Sequence, residues 1–152
     1  MSDDLSALTS ADYQALAEFR YRIRVFLRFS ERAVRAAGLE PRQYELLLAL
    51  KGLPVGRRPT VGELSARLQL QHHTVVELVD RLEQRGLVQR VRGEVDRRLV
   101  FVRLTSRGEA MLEQLALHHR AELLQAAPDL VRALNTLLAA RGDAEERRGE
   151  ER

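Results

Sequence analysis

The chain has 152 residues, of which 45% are hydrophobic, and a formal net charge of +3 at pH 7. It contains no cysteine, which excludes disulfides, thiolate nucleophiles and cysteine-based zinc sites. No apolar run approaches the roughly 20 residues that span a bilayer, and residues 1–10 lack the basic and apolar regions of a signal peptide. We therefore expect residues 1–152 to form a single domain in each protomer of a cytoplasmic protein that does not bind membranes.

The first predicted element is a long helix. Residues 9–12 (Thr-Ser-Ala-Asp) have the pattern of a helix N-terminus, and Gly38 ends the apolar pattern that follows. The apolar seam has heptad-like spacing and comprises Leu16, Phe19, Ile23, Phe26, Ser30, Ala33 and Ala37. A helix of about 27 residues is hard to bury within one small chain, so we expect residues 10–38 to form a dimerisation helix.

Three shorter helices are predicted in the middle of the chain. Pro41 suits the first position of the second helix, and residues 52–59 form a loop rich in Gly and Pro. The capping-box sequence Thr-Val-Gly-Glu at residues 60–63 opens a third helix. After a short turn, a fourth helix is expected from about residue 72 to residue 85, where Gly86 stops it.

A β-hairpin is predicted next, because two apolar, β-branched runs at residues 87–91 and 98–104 flank the polar stretch 92–97. Arginine is concentrated around it: residues 81–107 contain three acids against eight arginines, at positions 81, 85, 90, 92, 97, 98, 103 and 107. A local excess of positive charge is typical of a surface that faces phosphates. The alternative is an ordinary solvated surface. Arginine is the usual basic residue throughout this chain, 24 of the 25, so its presence alone says little about function.

The C-terminal part is predicted to be helical again after Thr105. Pro128 is expected to break this helix and to start a last one. We expect residues 106–140 to form the second dimerisation region. The charged tail of residues 141–152 is expected to be disordered.

The order of the elements predicts a mainly α fold with a small β-hairpin wing, in which residues 39–105 form a winged helix-turn-helix lobe beside a helical dimerisation region. In such a lobe the second helix of the pair enters the major groove of DNA. Helical periodicity places Val75, Leu78, Val79 and Leu82 on the core side of the fourth helix. The opposite side carries His72, His73, Val76, Glu77, Asp80 and Gln84. A helix–hairpin module that docks a protein is the alternative.

Five segments of the sequence resemble the MarR family of bacterial regulators. They are residues 39–50, 59–68, 72–88, 96–98 and 104–108, and the similarity runs in order over about residues 11–140. Its most specific parts are Asp-x-Arg at residues 96–98 and Leu-Thr-x-x-Gly at residues 104–108. The resemblance implies a homodimer with interlocked terminal helices, which acts as a sequence-specific transcriptional repressor on a pseudo-palindromic operator in double-stranded DNA.

The resemblance also implies roles for residues of the hairpin. Arg98 corresponds to the arginine that such proteins place in the minor groove, where a narrow groove attracts arginine, and Asp96 would hold the loop in position. Arg90 and Arg92 are expected to contact phosphates, and Arg97 adds a cation. Together with the fourth helix, the predicted DNA-contacting set is His72, His73, Thr74, Val76, Glu77, Arg81, Arg90, Arg92, Arg97 and Arg98.

Members of this family often release DNA when a small aromatic ligand binds between the dimer helices and the DNA-binding lobe. The candidate pocket residues here are Tyr13, Phe19, Phe26 and Tyr44, and ordinary core packing is the alternative for all four. No cofactor is expected. The lack of cysteine excludes regulation by cysteine oxidation.

Two further functions are alternatives to a ligand-controlled regulator. A zinc-responsive regulator of the same fold would need His118 or His119 together with a carboxylate such as Glu113 or Glu122, or with a ligand from the first helix, because neighbouring histidines on a helix diverge by about 100°. A surface or interface position is the simpler interpretation of these histidines. The sequence has no nucleophile elbow and no Gly-rich phosphate loop, so we do not expect an enzyme.

Overall fold

The computed structural model describes the backbone of residues 7–150 and their side chains, apart from those of residues 144, 145, 147, 148 and 150. It is mainly helical with one antiparallel hairpin, which confirms the predicted fold class. The elements are α1 (Ser10–Ala36), α2 (Pro41–Lys51), α3 (Val61–Leu68), α4 (His72–Gln84), β1 (Val88–Arg92), β2 (Val100–Leu104) and α5 (Ser106–Glu150). Within the described residues, no helix is both long and apolar enough to cross a membrane.

The chain divides into two compact units whose boundaries lie inside α1 and α5. One unit, called here the terminal unit, comprises the chain up to Phe29 and from Arg120 onward. The other comprises Ser30–His119 and is called here the recognition lobe. The winged helix-turn-helix segment predicted at residues 39–105 lies inside the recognition lobe.

Helix α1 begins where the sequence pattern predicts. The Asp12 carboxylate accepts hydrogen bonds from the Thr9 backbone N–H and hydroxyl, at 2.8 and 3.0 Å, and the Thr9 hydroxyl accepts from the Asp12 N–H at 3.2 Å. These bonds satisfy amide donors that the first turn of a helix leaves free. At the other end, Gly38 has φ +84°, the left-handed conformation in which helices commonly end.

Helix α5 corrects two predictions. It runs through Pro128 without a break, although proline removes one N–H donor and its ring crowds the carbonyl four residues earlier; Ala126 and Ala127 before it favour helix. Asp129 also pairs with Arg132 and, within the terminal unit, with Arg22. The tail predicted to be disordered is helical up to Glu150, because extending an existing helix with Ala, Arg and Glu carries no nucleation cost. Residues 151–152 of that tail lie outside the described residues.

The recognition lobe has a continuous apolar core. It joins the end of α1 to α2, α3, α4, the hairpin and the start of α5, and its largest fully buried side chains are Val34, Leu39, Leu46, Leu47, Leu64, Val75, Val79, Leu82, Leu87, Val88 and Val102. The predicted core side of α4 is correct, since all four of its residues are buried. This core fixes the orientation of α4 relative to α3, and α4 therefore presents its opposite side to solvent.

Candidate nucleic-acid interface

A tight turn separates α3 from α4. The Thr60 hydroxyl caps α3 by accepting from the Glu63 N–H at 3.2 Å, as the capping box predicts. Gln69 ends α3 in the left-handed conformation with φ 53°, which is uncommon for a residue other than glycine. Because Gln69 reverses the chain within a few residues, α4 follows directly and completes a helix-turn-helix.

The exposed side of α4 carries the predicted contact residues. His72, His73 and Glu77 are exposed, whereas Thr74 and Val76 are half-buried. Gln71 precedes the helix and makes no side-chain cap hydrogen bond, so the first amides of α4 are not satisfied by a cap. Free N–H groups and the positive end of the helix dipole favour an anion at this position.

The hairpin that follows has a defined inner face. β1 and β2 pair antiparallel, with Val88 opposite Leu104 and Arg90 opposite Val102. Because side chains alternate along a strand, Val88 and Arg90 point to the same face as Val102, and both valines are buried. The hairpin therefore packs its inner face on the lobe and projects its tip away from the core.

The tip of the hairpin is a turn, and this corrects a predicted boundary. β2 begins at Val100, two residues later than expected, because Arg97 and Arg98 lie in the turn. The Leu99 N–H donates to the Asp96 carbonyl at 3.2 Å, and the Asp96 carboxylate accepts from the Arg98 N–H at 3.0 Å. This second bond is the local pattern by which aspartate starts a turn. Gly93 closes the tip, since a Cβ there would lie 2.5 Å from the Asp96 carbonyl oxygen.

Asp96 also binds the Arg98 side chain. Its two carboxylate oxygens lie 3.1 Å from Nε and 3.1 Å from Nη2 of Arg98, a two-point contact that matches the planar guanidinium. Hydrogen bonds from the Arg98 side chain hold the pKa of Asp96 below its ordinary value. The Arg98 side chain is nevertheless 91% exposed, so its orientation is restrained while its outer edge is open to a ligand.

The other arginines of the hairpin differ in their surroundings. Arg92 and Arg97 are exposed, and the Arg92 guanidinium lies 3.4 Å from the Arg97 carbonyl. Arg90, which the sequence assigned to a phosphate, is bound by two carboxylates of α4, Asp80 at 2.6 Å and Glu83 at 2.9 Å. The sequence analysis did not identify Glu83 as a partner of Arg90, although Asp80 and Glu83 lie three residues apart and so share one side of the helix.

Two further residues of the Leu-Thr-x-x-Gly segment have structural roles that the sequence did not reveal. The Thr105 hydroxyl caps α5 by accepting from the Gly108 N–H at 3.0 Å and donates to the Gly86 carbonyl at 2.6 Å. Gly108 lies against the backbone of Leu87, where a Cβ would overlap the carbonyl. The segment therefore fastens the start of α5 to the base of the hairpin.

A cavity of about 400 Å³ adjoins α4. It brings three of the predicted contact residues together with the end of α1 and the start of α2, and it is lined by Arg35, Glu40, Pro41, Arg42, Thr74, Glu77, Leu78 and Arg81. Arg81 is exposed. Thr74, Glu77 and Arg81 therefore line one pocket beside α4, whereas the arginines of the predicted set at residues 90–98 lie in the hairpin.

The predicted ligand-pocket residues are distributed over both units. Tyr13 is exposed and Phe19 and Phe26 are half-buried in the terminal unit. Tyr44 is buried in the recognition lobe, where burial raises its pKa and its ring stacks on His119 at a centroid distance of 4.5 Å. Tyr44 therefore has the core-packing role that the sequence left as the alternative.

His118 and His119 lie at the end of the recognition lobe, and neither belongs to a metal-binding cluster in the described part of the chain. His119 is buried. Its Nδ1 lies 2.6 Å from the Leu115 carbonyl and its Nε2 lies 2.6 Å from the Ser30 hydroxyl. Both ring nitrogens that could bind a metal are thus engaged in the core.

Comparison with known proteins identifies a related family. A model described as the MarR family matches residues 37–99, which include α2, α3, α4 and β1. The match confirms the resemblance to the MarR family that the sequence predicts. The crystal structure of AbsC, a MarR family transcriptional regulator from Streptomyces coelicolor, is similar with a TM-score of 0.68 and 27% identity, covering 94% of this chain and 98% of that one.

Two further proteins are similar to this chain in sequence or in fold. The transcriptional activatory protein BadR of Rhodopseudomonas palustris is 36% identical over 85 residues, which are 56% of this chain and 49% of BadR. CouR of Rhodococcus jostii, whose structure contains p-coumaroyl-CoA, has a TM-score of 0.57 and 27% identity, covering 65% of this chain and 68% of CouR. The matches span between 38% and 56% of the length of the first curated relatives.

Proposed function

We propose that this chain is a transcriptional regulator of the MarR family that binds double-stranded DNA with α4 in the major groove and the hairpin tip in the adjacent minor groove. The observation that carries the proposal is the pairing of Asp96 with an Arg98 side chain that stays 91% exposed. A pre-oriented guanidinium loses less conformational freedom on binding than a mobile one. In this proposal the protein is not an enzyme and works in the cytoplasm, where its DNA lies.

Two kinds of DNA contact are proposed. His72, His73, Thr74, Val76 and Glu77 lie on the solvent side of α4 and carry donors, acceptors and one apolar group that suit base edges. Arg81, Arg92 and Arg97 are exposed cations that suit phosphates. The first set would determine which sequence is bound, and the second would supply affinity that depends on salt.

We propose that the protein acts as a homodimer through its terminal unit. Large apolar side chains are exposed there on both helices, namely Leu16, Val25 and Leu27 of α1 and Leu123, Leu124, Val131, Leu134 and Leu138 of α5. So many exposed large apolar side chains on a small chain are typical of an interface rather than of a surface in water. Two copies would present two α4 helices to a pseudo-palindromic operator.

Ligand-controlled release is the third part of the proposal, with repression as the expected direction. CouR is similar in fold and contains p-coumaroyl-CoA, which supports a small aromatic acid or its thioester as the ligand class. Phe19 and Phe26 are half-buried and remain candidates to contact it, beside the exposed Tyr13. BadR is named as an activatory protein, so a promoter–reporter assay with and without ligand is needed to decide the direction.

DNA recognition is tested with genomic fragments retained by the purified protein. We expect a recovered pseudo-palindrome with half-sites about one helical turn apart, bound on the order of 1,000-fold more tightly than a scrambled duplex. Equal affinity for the two duplexes would contradict sequence-specific binding. Sedimentation at micromolar concentration should show a dimer, and a monomer alone would contradict the proposed assembly.

A further inference from the structure

We propose that Arg90 is a positioning residue: it ties strand β1 to helix α4 through Asp80 and Glu83 and does not itself contact DNA. The inference rests on the function proposed above, and it replaces the phosphate contact that the sequence predicted for Arg90. Its consequence is that the distance and angle between the helix and the wing depend on a three-residue ion-pair cluster.

The strand register explains why Arg90 faces the helix. Arg90 stands opposite Val102, which is completely buried, and shares a face with the buried Val88. Alternation along β1 therefore directs Arg90 to the inner side of the hairpin. Its side chain is only 28% exposed, in contrast to the open arginines of the tip.

Three hydrogen bonds join Arg90 to α4. Nη2 donates to Asp80 at 2.6 Å, Nη1 donates to one Glu83 oxygen at 2.9 Å, and the Arg90 backbone N–H donates to the other Glu83 oxygen at 2.9 Å. The two guanidinium nitrogens are thus directed to two different carboxylates. This geometry needs a planar fork of donors, which lysine does not have.

The cluster also accounts for acids beside the proposed DNA surface. Asp80 and Glu83 are about half exposed, and free carboxylates there would repel a DNA backbone. Arg90 offsets their charge while its own donors are occupied. The Arg90 guanidinium is therefore occupied by Asp80 and Glu83 and is not free to bind a DNA phosphate.

A two-stranded hairpin needs such support. Two strands alone are marginally stable in water, and the chain leaves α4 for β1 through Gly86, with φ +71°. Backbone hydrogen bonds hold the hairpin at two points: the Leu87 N–H donates to the Leu82 carbonyl at this junction, and the Val102 N–H of β2 donates to the Pro59 carbonyl at 2.8 Å. Arg90, opposite Val102, adds a side-chain connection from β1 to α4.

Arg90→Lys separates the two roles, because it keeps the charge and loses the fork. Amide hydrogen exchange of the DNA-free full chain reports on the wing, with the amide of residue 90 left out. We expect Arg90→Lys to speed exchange in β1 and β2 by roughly fivefold or more. Asp80→Asn/Glu83→Gln should do the same, and the combined triple variant should add little, since all three changes break one connection.

Binding to a random-sequence duplex of about 30 base pairs supplies the second measurement. Arg90→Lys should weaken affinity by roughly fivefold at every salt concentration and leave the slope of log K against log salt unchanged. Arg103→Lys, the matched control at an exposed arginine of β2 outside the proposed DNA-contacting set, should keep affinity within about twofold and leave wing exchange unchanged.

The result that would overturn the inference is an Arg90→Lys variant with wild-type exchange and wild-type affinity, together with an Arg90→Gln variant whose salt slope is shallower by roughly 0.9, as for a lost phosphate contact. Fully additive exchange effects in the triple variant would also contradict it. If the wild-type protein binds no duplex, the proposed function fails. The exchange measurements then still decide whether Arg90 restrains the wing.

Discussion

The base and the tip of the hairpin each contain an arginine paired with acid, yet the two pairs differ in what they restrain. At the base, Arg90 is 28% exposed and binds carboxylates of a different element, α4. At the tip, Arg98 is 91% exposed and binds Asp96, two residues earlier in the same turn. A pair between elements restrains their relative position, whereas a pair within a turn orients one side chain.

This difference explains how one short hairpin can be held rigidly at its base while its tip stays exposed and able to bind DNA. The base is fixed by buried side chains and close backbone contacts, including Val102 and Gly108. The tip contains few apolar contacts, and its Val95 is fully exposed. Substitutions at the base should therefore reduce stability, and substitutions at the tip should reduce binding while stability stays the same.

The largest expected effect is that of Gly108→Ala at the base. The new Cβ would overlap the Leu87 carbonyl, and backbone cannot move as a flexible side chain can, so we expect the free energy of unfolding to fall by about 3 kcal/mol. Urea denaturation measures this change. Gly142→Ala is the matched control in the same helix, where a Cβ meets nothing within 4 Å. It should stabilise by roughly 0.5–1 kcal/mol, and equal losses in both variants would contradict the packing argument.

A smaller effect is expected for Val102→Ala. Val102 is completely buried in β2, so losing two methyl groups should lower the free energy of unfolding by about 2 kcal/mol through lost burial and the cavity left behind. Val100 starts the same strand nearer the tip and is 39% exposed. Val100→Ala should change stability by less than about 0.5 kcal/mol. If the two variants lose similar stability, the tip is packed as tightly as the base.

The smallest expected effect is a shift in the titration of Asp96. Because Arg98 holds the pKa of Asp96 below its ordinary value, the carboxylate stays charged, and any stability from the pair is present above the unfolded-state pKa of about 3.9 and lost as pH falls through the folded value. Arg98→Ala should raise the pKa of Asp96 toward the ordinary value, as measured by NMR of the carboxyl carbon. An unchanged titration midpoint would show that the pair does not persist in solution.

Most of the fold could be predicted because local signals agree with the final packing. The cap at Thr60, the glycine after α1 and the four-residue core side of α4 each point to the elements that form. The errors arise where local rules are overridden. Pro128 lies inside α5, and β2 starts late because the Asp96 side chain and carbonyl form a turn over residues that strand propensity alone assigns to β2.

The candidate site was less predictable than the fold. Motif and periodicity selected the exposed residues of α4 and the Asp96–Arg98 pair, since these depend on neighbours in sequence. The role of Arg90 depends on Glu83, which reaches it only after the chain reverses at Gly86. The need for glycine at residue 108 is likewise evident only in the folded chain, where the Leu87 backbone leaves no room for a Cβ.

The most direct test of a DNA-reading tip is titration of Arg98→Ala against operator duplexes with A·T-rich and G·C-rich flanks. We expect affinity to fall by roughly 1–3 kcal/mol, with the larger loss on A·T-rich flanks, where the minor groove is narrow. The thermal midpoint should stay nearly unchanged, because an exposed ion pair contributes little. Arg107→Ala, at an exposed arginine of α5, controls for loss of one positive charge. Unaltered affinity on both flanks, or a large drop in stability, would contradict the proposal that Arg98 reads the minor groove.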